Sequence, residues 1–167
     1  MDRNIEENMD EMNKKTFAEA LSHCRHKTKL LNFLRTVQIS DFVNRTFEQV
    51  FTEIARRVDE IHGLGELVIY DVTSALCRHY QVHIEKVYII GNGPLQAIKL
   101  LGLKTKKHES LSVNYVDIQD VVHAFDAKGF RMDDDIRTTQ DGDKMESHLC
   151  NWQTPINTVL ALANARN

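Results

Sequence analysis

The chain has no run of apolar residues long enough to cross a bilayer, no cysteines at C-x-x-C spacing and no excess of positive charge. Each absence removes a class of function. Without about 20 consecutive apolar residues no transmembrane helix is expected. The N-terminal stretch M-D-R-N-I-E-E-N-M-D-E is acidic, unlike a secretory signal, so a soluble, cytoplasmic protein is expected, with no membrane contact. Cys24, Cys77 and Cys150 are odd in number and far apart. They read as reduced, buried thiols, not as a disulfide or zinc framework. A net charge of −3 excludes a polycation that coats nucleic acid, so any such binding must come from a local patch. Among eight histidines only His23 and His26 stand three apart, and no metal or cofactor is expected.

What is present is a core-forming chain with helical periodicity. Its 167 residues, 42% of them hydrophobic, fit one domain of ordinary size. Polar residues at the start predict a disordered tail over 1–15, followed by a single helical domain over 16–167. Phe17, Ala20, Leu21, Leu30, Leu31, Phe33 and Leu34 suggest one helix or two short ones to about Thr36. Within it Arg25, Lys27, Lys29 and Arg35 form a first basic patch, free of acids from 25 to 35. The clearest helix follows, because Phe47, Val50, Phe51, Ile54, Ala55, Val58 and Ile61 recur at three- and four-residue spacing.

That helix runs into V-D-E-I-H-G-L-G-E-L, which organises the rest of the chain. Gly63 can enter the left-handed region and end a helix, and Gly65 allows a close return of the backbone. Val58, Ile61, Gly63, Leu64 and Gly65 fit the h-x-x-h-x-G-h-G pattern of a helix-hairpin-helix, spanning about 47–80, with Leu64 as the apolar plug. Free amides at the start of the second helix would suit a phosphate. Glu66 puts a negative charge at that mouth. Helix is favoured over strand for 67–72 for want of a partner strand.

Further on, Ile84–Ile90 reads as a short helix or strand. Gly91-Asn92-Gly93 turns the chain, Pro94 opens a helix and Gly102 ends it. Lys86, Lys99, Lys104, Lys106 and Lys107 lie in a stretch without acids, where phosphates could be held. A polar loop, a helix through Val116, Ile118, Val121, Val122 and Phe125, and an acidic surface loop over 133–143 follow. Two final helices are expected, one through Met145, Leu149 and Trp152, the other opened by Pro155. The fold class expected is all-α, a single-domain helical bundle around the helix-hairpin-helix.

The stretches G-L-G-E-L-V-I-Y-D, E-K-V-Y-I-I-G-N-G and I-K-L-L-G-L, with Glu146, Leu149 and Cys150 near the end, resemble an uncharacterised bacterial helix-hairpin-helix family. Ile90 stands where that family tends to carry His. More distantly, the hairpin is similar to that of base-excision DNA glycosylases. The resemblance implies a hairpin nucleophile at Leu67, which cannot act as one, and an assisting carboxylate near Glu85. Tyr70, Tyr80 and Tyr88 could line a pocket for a flipped base. The expectation is therefore sequence-tolerant binding of nucleic acid, DNA above all, through Gly63, Leu64, Gly65 and the five lysines. The alternatives are a protein-interaction module with a purely structural hairpin, and a glycosylase-like enzyme whose one catalytic candidate is Glu85.

Overall fold

The computed structural model describes residues 9–164, with side chains described as far as Gln153. The chain is mostly helical and divides into two compact units, Met1–Val82 and His83–Asn167, where the sequence suggests one domain over 16–167. The described elements of the first unit are α1 (Glu11–Thr16), α2 (Ala18–His23), α3 (Lys27–Leu34), a 3-10 turn (Ile39–Phe42), α4 (Phe47–Val58) and α5 (Glu66–His79). In the second they are β1 (Lys86–Ile89), α6 (Asn92–Leu100), β2 (Lys106–Lys107), β3 (Asn114–Asp117), α7 (Ile118–Ala127), α8 (Asp134–Thr139) and α9 (Gly142–Asn164).

The unpacked tail expected over 1–15 is corrected for its described part; residues 1–8 lie outside the described residues. Met9 is buried, the Asp10 carboxylate caps α1 by accepting from the Met12 amide, and Asn13 Nδ2 donates to the carbonyls of Leu34 and Val37. A polar stretch can thus be tied down by capping and by one amide, without apolar periodicity. The core of this unit joins Phe17, Leu30, Leu34, Phe42, Ile54, Val58 and Leu76. Helix α4 starts with a capping box in which Thr46 Oγ1 accepts from the Gln49 amide and Gln49 Oε1 from the Thr46 amide. It buries Phe47, Val50, Phe51, Ile54 and Val58, each side chain contributing about 1.5–3 kcal/mol against exposure.

The expectation of helices throughout is corrected in the second unit by a three-stranded antiparallel sheet of order β1-β3-β2. Lys86 to Ile89 pair with Asp117 to Asn114, and Lys106 and Lys107 pair with Tyr115 and Asn114. Val116, expected in a helix, is therefore a strand residue. Its side chain joins Val87 and Ile89 in a core with Ile98, Val121, Phe125, Met145 and Leu149. The acidic stretch 133–143 is also corrected, since it folds into α8 and the start of α9. Asp141 Oδ1 accepts from the amides of Asp143 and Lys144 while its Oδ2 accepts from the Ile84 amide. One carboxylate thus caps α9 and fastens the chain just ahead of β1.

Pro94 stands third in α6, not first, where a missing amide hydrogen still costs nothing. Gly102, at φ +71°, ends α6 as expected, with bonds from its own amide to the Lys99 carbonyl and from the Leu103 amide to the Ile98 carbonyl. The two final helices expected from Pro155 are a single one, α9, which passes through it.

Candidate nucleic-acid interface

The hairpin stretch forms two helices joined by a tight turn. After Val58 the chain makes short-range bonds from the Ile61 amide to the Val58 carbonyl and from the Leu64 amide to the Ile61 carbonyl. Gly63 adopts φ +97°, the left-handed side that a Cβ penalises. Leu64 is buried in the core of the first unit. Gly65 occupies the N-cap of α5 without a side chain to bond the first-turn amides, and Ile69 donates back to its carbonyl.

Gly65 does not make the close backbone return expected of it. Its backbone is extended, at φ −116° and ψ −164°, and a Cβ added there would meet nothing within 4 Å. No close approach demands glycine at this position. Glu66 is exposed in the first turn of α5, and Leu67 beside it is 49% exposed, one of the few large apolar side chains exposed among the described residues.

The turn also gains a cation from outside the hairpin. Lys29, from the basic patch on α3, reaches across so that its Nζ donates to the His62 carbonyl at 2.6 Å. The same ammonium would lie 3.3 Å from a Cβ on Gly63, and His26 would lie 3.4 Å away. The acid-free run 25–35 was the signal for this contact, but nothing in linear spacing ties α3 to residue 62. His23 goes elsewhere, its Nδ1 standing 3.8 Å from Asp71.

The lysines nominated in 86–107 all belong to the second unit, and the described contacts treat them differently. Lys86 lies over the Tyr115 ring, 5.2 Å from its centroid. Lys106 is hydrogen-bonded to Asp117, whose carboxylate holds the ammonium above its usual pKa, and it stands 4.0 Å from Asp120. Lys107 is next to it on a strand, so the two side chains leave on opposite faces. Lys99 and Lys104 are exposed. Lys86 and Lys106 thus meet at Tyr115 on one face of the sheet, and Lys107 leaves on the other.

Glu85 is exposed just ahead of β1, not enclosed in a cleft. Tyr70 and Tyr88 are buried, and the half-buried Tyr80 gives its hydroxyl to the Ile39 carbonyl at 2.8 Å. Two of the three rings are thus packed inside, and the third is tied down by its hydroxyl. Gly93 and Cys150, one from each of two separated segments of the family resemblance, do meet: a Cβ on Gly93 would lie 3.1 Å from the Cys150 Sγ. That thiol donates to Glu146 Oε1 at 3.2 Å. The loss of close approach there would disturb the packing of α6 on α9.

Among the described residues no helix is long and apolar enough to cross a membrane. No family model, curated protein or solved structure matches the chain.

Proposed function

We propose that the protein binds nucleic acid through the sugar-phosphate backbone, gripping it at the hairpin between α4 and α5. The observation that carries this reading is the Lys29 ammonium placed on the Gly63 turn, close to the start of α5 with its uncapped first-turn amides. Oriented amides and one fixed cation attract a phosphate from two sides. Arg25 and Lys27, exposed beside α3, add attraction at longer range, and Lys99, Lys104 and Lys107 are exposed cations of the second unit. Backbone contacts of this kind carry no sequence information, so the binding is sequence-tolerant.

The test is binding of a labelled mixed-sequence duplex and of its single strand at about 50 and 200 mM salt. Wild type, Lys29→Ala and a Lys104→Glu/Lys106→Glu/Lys107→Glu variant are compared, each first checked for an unchanged circular dichroism spectrum. Lys29→Ala is expected to weaken binding at low salt and to lower the salt slope by about one phosphate contact. The triple variant measures what the second unit adds. Absence of salt-sensitive binding by the wild type refutes the proposal.

A further inference from the structure

Next to the hairpin, α3 and the end of α4 enclose a groove of about 650 Å³, lined by Lys29, Asn32, Thr36, Arg56, Glu60 and His62 among others. Arg57 lines it as well. Its cations come from two separate elements, and Glu60 is the one acid on its walls. Phe33 and Ile61 give it an apolar floor.

The two arginines are held in place from behind. Glu53 Oε1 accepts from Arg57 Nε at 2.8 Å and from an Arg56 terminal nitrogen at 2.9 Å, while its Oε2 accepts from Arg56 Nε at 3.2 Å. A single carboxylate thus anchors two guanidinium groups side by side, and Arg57 is further fixed over the Phe42 ring. Glu53 and the wall's own Glu60, which also acts on Arg56, offset two of the three cations, and each guanidinium keeps N–H donors that Glu53 does not use. The positive charge left over is arranged before any ligand arrives. Guanidinium pairs in a fixed fork recognise the oxygens of a phosphate better than scattered lysines do. Asn32 and Thr36 add an amide and a hydroxyl within the same walls, and the volume suits a nucleotide-sized group.

We infer that this groove is a phosphate-ester site distinct from the hairpin amides, with Arg56, Arg57 and Lys29 as its cations. The ester comes from a free mononucleotide or from a nucleic-acid strand passing beside the hairpin. The site goes beyond the hairpin proposal and does not require it.

The experiment is an NMR titration of the nitrogen-15-labelled full chain with inorganic phosphate, adenosine 5′-monophosphate and a mixed-sequence duplex, for wild type and Arg56→Gln. The Arg56 side chain is 70% exposed, so the variant is expected to fold, with Arg57 still on Glu53. Shifts at Arg56 Nε and at the amides of Asn32, Thr36 and His62 are expected, with affinity lowered about fivefold or more in Arg56→Gln. If the duplex produces them, the strand is the source. If only the mononucleotide does, the groove stands and the hairpin proposal falls. Duplex binding that shifts only residues 63–67 and is unchanged in Arg56→Gln overturns the groove and leaves the hairpin. No shift with any of the three probes overturns both.

Discussion

Gly142→Ala is expected to be among the most damaging single methyl additions in the second unit. A Cβ on Gly142 would stand 1.9 Å from the Lys86 carbonyl oxygen, 2.6 Å from its carbon and 3.0 Å from the Ile84 oxygen. All three are backbone atoms at or just ahead of the start of β1, so no side chain can swing aside. Carbon and oxygen sit comfortably at about 3.3 Å, which asks the first turn of α9 to withdraw by about 1.4 Å. That movement breaks the bond from the Gly142 amide to the Ile84 carbonyl, now 2.7 Å, and the one from the Ile84 amide to Asp141. Each is worth about 1 kcal/mol, and the disturbed packing of the fully buried Met145 and Leu149 costs about 1–3 more. Alanine's better helix propensity returns at most about 1 kcal/mol. The expected net loss is about 2–4 kcal/mol. It is read from urea unfolding followed by the fluorescence of Trp152, the one tryptophan, which packs on Phe125 and His148. Gly65→Ala, with open space around its Cβ, is the control and should change stability by less than about 1 kcal/mol. A loss below about 0.5 kcal/mol for Gly142→Ala would refute the claim that this close approach organises the unit.

Gly63→Ala forces a Cβ into φ +97° and should cost about 1–2 kcal/mol in thermal or urea unfolding, while displacing Lys29 enough to weaken duplex binding. His148 is 5% exposed between Phe125 and Trp152, and burial pushes its pKa below the ordinary 6.5. The unfolded chain then takes up the proton first, so stability should fall as pH drops below about 6.5, and His148→Leu should flatten that slope in Trp152-monitored unfolding. Glu53 is held down to about 2 by its bonds to Arg56 and Arg57. Its contribution is present above the unfolded value of 4.5 and lost as pH falls through about 2. Because the pair is solvent-screened, Glu53→Gln should cost under about 1 kcal/mol at neutral pH. The same change should weaken phosphate binding at Arg56 by releasing the guanidinium pair, a titration at pH 7 being the check.

The helices that pack on one face were legible from their periodicity. Phe47, Val50, Phe51, Ile54 and Val58 announce α4, and the left-handed glycines at 63 and 102 mark turns that the structure contains. The sheet was not legible because its signal is carried by pairing. Lys106-Lys107 is two residues of polar strand, and N-Y-V-D at β3 has no alternation long enough to separate it from a helix start. Asp141-Gly142 reads as loop chemistry in isolation, yet the carboxylate is a cap that also holds the Ile84 amide 57 residues away, and the glycine is a contact surface for the start of β1. The same holds at the candidate interface. Lysine density along the chain peaks in 86–107, whereas the cation that reaches the hairpin is one lysine from 33 residues upstream of its partner. Density along a chain measures composition, and a binding surface is a meeting of distant segments.

The tie between Asp141-Gly142 and the residues ahead of β1 also sets an order of assembly. In the sheet β1-β3-β2, β1 has a neighbour on one side only among the described residues, and the first turn of α9 meets the chain at Ile84, just ahead of it. A nascent chain that has emerged only as far as residue 140 can close the sheet but cannot yet cover that border. Until then, Val87 and Ile89 lie in a strand open to pairing with another copy. Messages truncated ahead of Asp141 should therefore yield protein that aggregates, while cuts well inside α9 leave the border sealed.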